Sequence, residues 1–398
     1  MPGRLPLHLT SATLLRISAE GAATALVLTV HARTGRAADA GFLQTALTLP
    51  YVLSGPVIGH MLDRAARPRI PAVVLGVVYA LATALLLLIA GRSPLVLALA
   101  VAVIVGCTEP IVVALTSLLP RFVPAERLPR AYGLEASSYS VAAIAGPGLA
   151  AAIAAYAGGA QSGVVIVVAA AVGVLALAFL PLPGRSEGAE QRRTVRGVVI
   201  GGLHVLVANR MLRALTVATT FGWLGFGGVA VTAVLFAQHI GADASAGGQL
   251  LVAFAVGSLF GSLASARWLK ARVAERVVLG GLVAFGAAVA LVCLAPSLPW
   301  ALACFLLIGL VEGPVFTATL MLRQRESPPD RLGQVNTTGG SLKIGGSAIG
   351  AALTGVFADE IGPVGLLLAI AACQLIGALS GLLILHWPSR ETPGDPGV

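Results

Sequence analysis

GPVIGHMLDRAARPR, residues Gly55 to Arg69, decides how the rest of the chain is read. It closes a long apolar run with two glycines four apart and ends that run on an acid. It then passes through Arg64, Arg67 and Arg69 before the next apolar run opens at Ile70. On a helix, Gly55, Gly59 and Asp63 share one ridge, so a neighbouring backbone can approach closely while the carboxylate is presented at the end of the run. The stretch predicts two membrane helices joined by a short basic hinge.

Composition extends that reading to the whole chain. Of its 398 residues 57% are hydrophobic and 11% charged, and mean hydropathy is +0.92, whereas soluble domains carry about 25% charge. At roughly 20 apolar residues per span, the chain accommodates about twelve helices with short loops. The apolar runs fall at 10–31, 41–62, 70–90, 94–118, 132–156 and 162–181, then at 213–236, 246–267, 276–294, 299–321, 335–357 and 364–386. The expected organisation is a six-helix bundle over 1–183, a cytoplasmic linker over 184–212, and a second six-helix bundle with a short cytoplasmic tail over 213–398. Within the linker, TVRGVVIGGLHVLVANRMLR has apolar residues at helical spacing between arginines, which predicts a short amphipathic helix on the inner membrane surface.

The formal charge of +9 would suggest nucleic acid in a soluble protein; here it reads as topology. With these spans, 21 of the 26 Lys and Arg lie on the side of the N-terminus and only Arg33, Arg36 and Arg92 lie in loops on the other. The positive-inside rule then places both termini in the cytoplasm of a multi-pass protein of the cell's inner membrane. Arg16 and Glu20 interrupt the first apolar run, which a cleaved signal peptide would not tolerate, so residue 1 is expected to be retained. The four cysteines lie inside apolar runs and read as small buried hydrophobes, not as disulfide partners or metal ligands.

The halves resemble each other. Gly55, Gly59 and Asp63 recur as Gly257, Gly261 and Ser265; Glu109 and Thr116 recur as Glu312 and Thr319; Gly146 recurs as Gly350. Matches in order at a nearly constant offset predict two pseudo-symmetric bundles with a substrate site between them near mid-membrane.

The loop pattern G-x-x-x-D-R-x-x-R-x-R, carried by Gly59, Asp63, Arg64, Arg67 and Arg69, resembles the signature of the major facilitator superfamily of secondary transporters. Ala66 stands where that family usually has glycine. Gly133, Gly146 and Pro147 keep the spacing of a fifth-helix motif similar to the one in its proton antiporters, although Ala142, Ala150 and Ala151 replace glycines. The linker is similar to that of the siderophore and drug exporter branch. The resemblance implies an all-α protein of twelve helices, alternating access, and a monomer that suffices for transport. It also implies a gate in which Asp63 lies against the cytoplasmic start of the eleventh helix, with Gly59, Arg64, Arg67, Gly146 and Pro147 as gating residues. Ser265 cannot repeat that latch in the second half.

Six ionisable residues fall inside spans: Arg16, Glu20, Glu109, Glu135, Glu312 and Lys343. A charge at a helix centre costs roughly 2.5 to 3.5 kcal/mol, so they are expected to face one another or water, and such residues are functional by default. Arg16 and Glu20, four apart, are expected to pair with each other or with a neighbour, either fixing packing or taking part in coupling. Four acids against two cations leave two without a counter-charge, which points to a reversible proton carrier. Glu109 precedes Pro110 and Glu312 precedes Gly313-Pro314, where interrupted helix hydrogen bonding suits a cavity wall; these two are favoured as carrier, with Glu20 held ionised by Arg16. Glu135 is expected to form a gate salt bridge with the basic loop 127–130 or to contact substrate. Lys343, on a small polar face, is expected to bind an anionic group or to pair with Glu312. Tyr139, Trp223, Thr116, Thr319, Gln44 and Thr48 complete the candidate cavity, which at 5% aromatic residues is expected to hold few rings.

The expectation is a proton antiporter that exports a drug-like compound or natural product, driven by the proton gradient without a cofactor; its partners are substrate, protons and the bilayer, not nucleic acid. A proton-coupled importer is the alternative, and a non-transporting receptor on the same fold is a third. An enzyme is disfavoured, because paired histidines, acids at metal-ligand spacing and a Ser-His arrangement at one depth are all missing from the sequence.

Overall fold

Long apolar runs with few turn residues can satisfy their backbone inside a membrane only as helices. The computed structural model describes residues 4–34, 37–182, 195–243 and 246–386, and every regular element among them is helical. The first half holds α1 (Arg4–Thr34), α2 (Ala37–Arg64), α3 (Arg69–Ile89), α4 (Leu95–Thr108), the short α5 (Ile111–Ala114) running into a 3-10 turn at Leu115–Arg121, α6 (Leu128–Ala157) and α7 (Gly163–Phe179). After α8 (Val195–Ala208) come α9 (Arg210–Phe226), α10 (Val229–His239), α11 (Ala246–Trp268), α12 (Ala274–Val292), α13 (Leu298–Glu326) and α14 (Leu332–His386).

Among the described residues, ten helices are long and apolar enough to span a bilayer, and α9 with α10, bent by 43° at Gly227-Gly228, makes an eleventh. α14 is 55 residues long, about 80 Å at 1.5 Å per residue, against a hydrocarbon core of about 30 Å. It is broken at Gly362, where φ is 65° and ψ is 178° ahead of Pro363. Counted as two passes, α14 brings the total to twelve.

Of the two helix interruptions expected beside intramembrane acids, one is present and the other is not. The fourth span breaks after Glu109, because Pro110 supplies no backbone N–H. At Glu312, by contrast, α13 continues through Pro314 to Glu326, so the expected interruption there does not occur. The linker helix is present as α8, but one face packs on α2, α9 and α14. Gln334 Nε2 donates to the Val198 carbonyl at 2.5 Å, so α8 is tied to the bundles and does not lie apart from them. The polar stretch expected at 184–194 and the tail beyond 386 lie outside the described residues. All four cysteines are free, and Cys107 is exposed, contrary to its expected burial.

Within the first half α1 packs on α6 and α7, α2 on α4, and α3 on α4 and α7. Within the second half α9 packs on α14, and α13 on α11 and α12. Two pairs carry most of the contact between the halves, α2 with α14 and α6 with α11. Both are tight on the side of the basic loops. A Cβ at Gly59 would collide with the Gly333 carbonyl, and one at Gly133 with Ala266. Farther along, a side chain at Gly148 on α6 or Gly248 on α11 would meet nothing within 4 Å. The interface is therefore closely packed at the basic end.

Candidate functional site

Between the halves, above the tight end, lies a cavity of about 330 Å³. Tyr139, Ser140 and Glu20 line it from the first bundle; Thr219, Trp223, Ser258, Glu312, Thr319, Lys343 and Gln374 line it from the second. Phe226, Phe254, Phe285 and Phe316 also reach it. With Tyr139 and Trp223 that makes six rings, so the expectation of few aromatics fails. The rings form a connected wall: Trp223 to Phe226 at 5.9 Å, Phe226 to Phe254 at 5.1 Å, Phe254 to Phe285 at 6.4 Å between centroids. Tyr139 meets Phe316 edge-on at 5.1 Å, linking α6 to α13 across the interface.

The acids divide by surroundings. Glu20 is exposed and lines the cavity. Glu312 is half-buried and accepts a 2.5 Å hydrogen bond from Ser258 Oγ, and Ser258 in turn bonds Ser140 of α6 at 2.9 Å. Glu109 is half-buried at the α4 break, does not line the cavity, and lies within electrostatic reach of Glu20.

Glu135 corrects the sequence reading. It is fully buried, and Arg16 Nη2 donates to its Oε1 at 2.6 Å while His8 Nε2 donates to Oε2 at 3.1 Å. Thr116 Oγ1 donates to Oε1 at 2.8 Å. It neither bridges to the basic loop nor lines the cavity. Arg16 also donates to Ser138 Oγ, the Val112 carbonyl and Thr116 Oγ1, and its guanidinium sits 3.7 Å from the Tyr139 ring centroid. The expected Arg16–Glu20 pair is thus replaced by Arg16–Glu135: the guanidinium points across to α6, α5 and the turn after it, where four acceptors and a ring face converge. Thr116 belongs to this network. Gln44 is not among the cavity residues, and its Oε1 is buried without a partner among the described residues.

Lys343 is buried, with Nζ 5.7 Å from the Trp223 ring and 5.5 Å from the Phe316 ring. It makes no ion pair within 4.0 Å among the described residues, so the expected contact pair with Glu312 is not formed, although the two charges feel each other. Arg323, counted with the basic loops by its sequence position, is buried inside α13 against Gly339, and its Nε and Nη2 find no acceptor among the described residues.

At the basic end, Asp63 Oδ1 accepts from Gly333 N and Oδ2 from Gln334 N, both at 2.8 Å. These are free N–H groups of the first turn of α14, where the helix dipole favours a carboxylate. Arg121 Nη2 donates to the Leu62 and Asp63 carbonyls and braces the end of α2. Arg64 adds a half-exposed pair to Asp330 at 3.7 Å. Arg67 is exposed. Gly146 packs against Gly21 and the Ile17 carbonyl of α1, inside the first bundle, and Pro147 lies within the unbroken α6. Ser265 Oγ donates to the Ser262 carbonyl at 2.7 Å and to Thr317 at 2.9 Å, inside its own bundle.

Two residues of the charged core were not singled out by sequence, yet both carry a signal. His8 lies eight residues, two turns, before Arg16 on one face of α1. Arg323 follows Glu312, Phe316 and Thr319 at helical spacing on α13, a face that continues past the expected end of the span.

The family description for the Major Facilitator Superfamily matches residues 9–343 and 215–397. The chain belongs to this superfamily. An uncharacterized MFS-type transporter, y4rN, from Sinorhizobium fredii is 26% identical over 99% of this chain and 96% of its own length. The multidrug efflux pump Tap of Mycolicibacterium fortuitum is 25% identical over 86% of each. Among solved structures, the human organic anion transporter MFSD10 (TETRAN) superposes with a TM-score of 0.79 at 18% identity, covering 96% of this chain and all of that one, a likeness of fold. The protein is accordingly a membrane transporter and not an enzyme.

Proposed function

We propose that the protein exports a small organic molecule across the cell membrane in exchange for protons, by alternating access of the central cavity. The observation that carries this reading is that Glu20 and Glu312, one from each bundle, reach the interbundle cavity without an ion pair within 4.0 Å among the described residues. A carboxylate in that position exchanges a proton with water and changes the charge seen by a bound molecule. Glu109 extends the path, since one proton between Glu20 and Glu109 removes the repulsion between two neighbouring carboxylates. In the cycle, protonation of Glu312 from outside weakens its hold on substrate, the bundles rock, and deprotonation inside restores the binding form. The closed basic end, taken as cytoplasmic from the arginine distribution, supports an outward-facing state held by the Asp63 latch. Similarity to an efflux pump over most of the chain supports the direction.

The test uses inverted membrane vesicles with an acid interior and a panel of drug-like compounds. Expected is accumulation of at least one compound that stops when the gradient is collapsed and in Glu312→Gln. Accumulation that ignores the gradient, or uptake only by right-side-out vesicles, overturns the reading.

A further inference from the structure

The cavity holds charges of both signs on one wall that do not touch. Glu312 and Lys343 both line it, each feels the other, and no ion pair within 4.0 Å joins them. One oxygen of Glu312 is engaged by Ser258. Lys343 Nζ is held over the faces of Trp223 and Phe316 and donates no hydrogen bond to the protein among the described residues.

Behind Lys343, within its electrostatic reach, is the buried guanidinium of Arg323 with Nε and Nη2 unsatisfied. A buried cation without an acceptor is costly, and two side by side make an unneutralised positive locus. Glu312 is a single acid against that pair, and the guanidinium of Arg16 is bonded to Glu135 outside the cavity lining. On the opposite wall Glu20 is exposed and lines the cavity, with no cation within 4.0 Å among the described residues. The space is therefore positive around Lys343, negative at Glu20 and Glu312, and apolar between, where the aromatic wall lies.

We infer that the substrate is a zwitterionic aromatic amphiphile, with its anionic group on Lys343, its ammonium on Glu312 and Glu20, and its flat apolar body against Trp223, Phe226 and Phe316. The inference rests on the cavity being the transport site. The division of labour follows from the chemistry: the acids meet the ammonium, so a proton on Glu312 competes with substrate as antiport requires, while Lys343 meets the anionic group and sets specificity. A purely anionic substrate would bind better when Glu312 is protonated, which would couple substrate and proton in the same direction.

Three matched probes separate the charges: naphthylalanine carries both, naphthylethylamine only the ammonium and naphthylpropionate only the carboxylate. Binding is measured by titration calorimetry on the purified full-length protein in detergent, with no gradient. Wild type is expected to bind naphthylalanine about tenfold or more tightly than either half, the scale of one hydrogen bond to a charged group. Lys343→Gln is expected to weaken naphthylalanine about tenfold or more and so erase its advantage over naphthylethylamine, with an unchanged helical circular-dichroism spectrum showing that the variant is folded. Glu312→Gln is expected to erase the advantage over naphthylpropionate. The inference is overturned if the amine binds wild type as tightly as the zwitterion, if Lys343→Gln keeps the zwitterion's advantage, or if naphthylalanine shows no saturable binding. Intact zwitterion selectivity with no proton-driven transport would sink the exporter reading alone.

Discussion

Replacing Asp63 by asparagine should open the basic end of the interface. In the structure both carboxylate oxygens accept from backbone amides of α14 at 2.8 Å. An asparagine amide offers one oxygen and turns an NH₂ towards the second amide, so one bond to a charged group is lost. Such a bond contributes about 1.5 to 3 kcal/mol. At 1.4 kcal/mol per tenfold, the ratio of open to closed molecules should rise by about 10- to 150-fold. The assay is a pair of spin labels on exposed positions of the two bundles at that end, Glu126→Cys and Arg272→Cys, with the four native cysteines replaced. Their distance distribution should gain a longer component in Asp63→Asn. An unchanged distribution in a protein of normal helical content would refute the idea that these two hydrogen bonds hold the interface shut.

Two further substitutions test the asymmetry and the charged core. Ser265→Ala, at the position matching Asp63 in the second half, should leave the same distances unaltered, because Ser265 bonds only within its own bundle; a longer component there would mean that the latch is two-sided. Glu135→Gln leaves Arg16 buried without its counter-charge, and should lower the free energy of unfolding in a denaturing detergent by about 3 to 5 kcal/mol. A loss under about 1 kcal/mol would show that Glu135 is not the anchor of the first bundle.

The membrane class, the helices and the Asp63 hinge were legible because each rests on local pattern: apolar length, glycines four apart, an acid before arginines. The pairing of Arg16 was not. Spacing put Glu20 within reach on the same helix, and nothing in the sequence says that α1 and α6 pack with Glu135 at the same depth. The aromatic wall was hidden for a similar reason, since rings from α9, α11, α12 and α13 are far apart in sequence and only the bundle brings them together. Arg323 was misplaced by the rule that ends a span at its first arginine. Its side chain is buried by α14, an element the local sequence does not contain. Pro314 was overread: a proline in a long helix removes one hydrogen bond, and here the neighbouring packing carries α13 straight through.

The central claim is that protons move against substrate through Glu312 and its neighbours. The most direct measurement is counterflow in proteoliposomes of purified protein with an acid interior and a trapped pH dye, to which a transported compound is added outside. The account predicts substrate-dependent alkalinisation of the lumen that saturates with the compound, is absent in Glu312→Gln and is reduced in Glu20→Gln. Substrate accumulation with no change in lumenal pH, or an equal proton flux in Glu312→Gln, would contradict it.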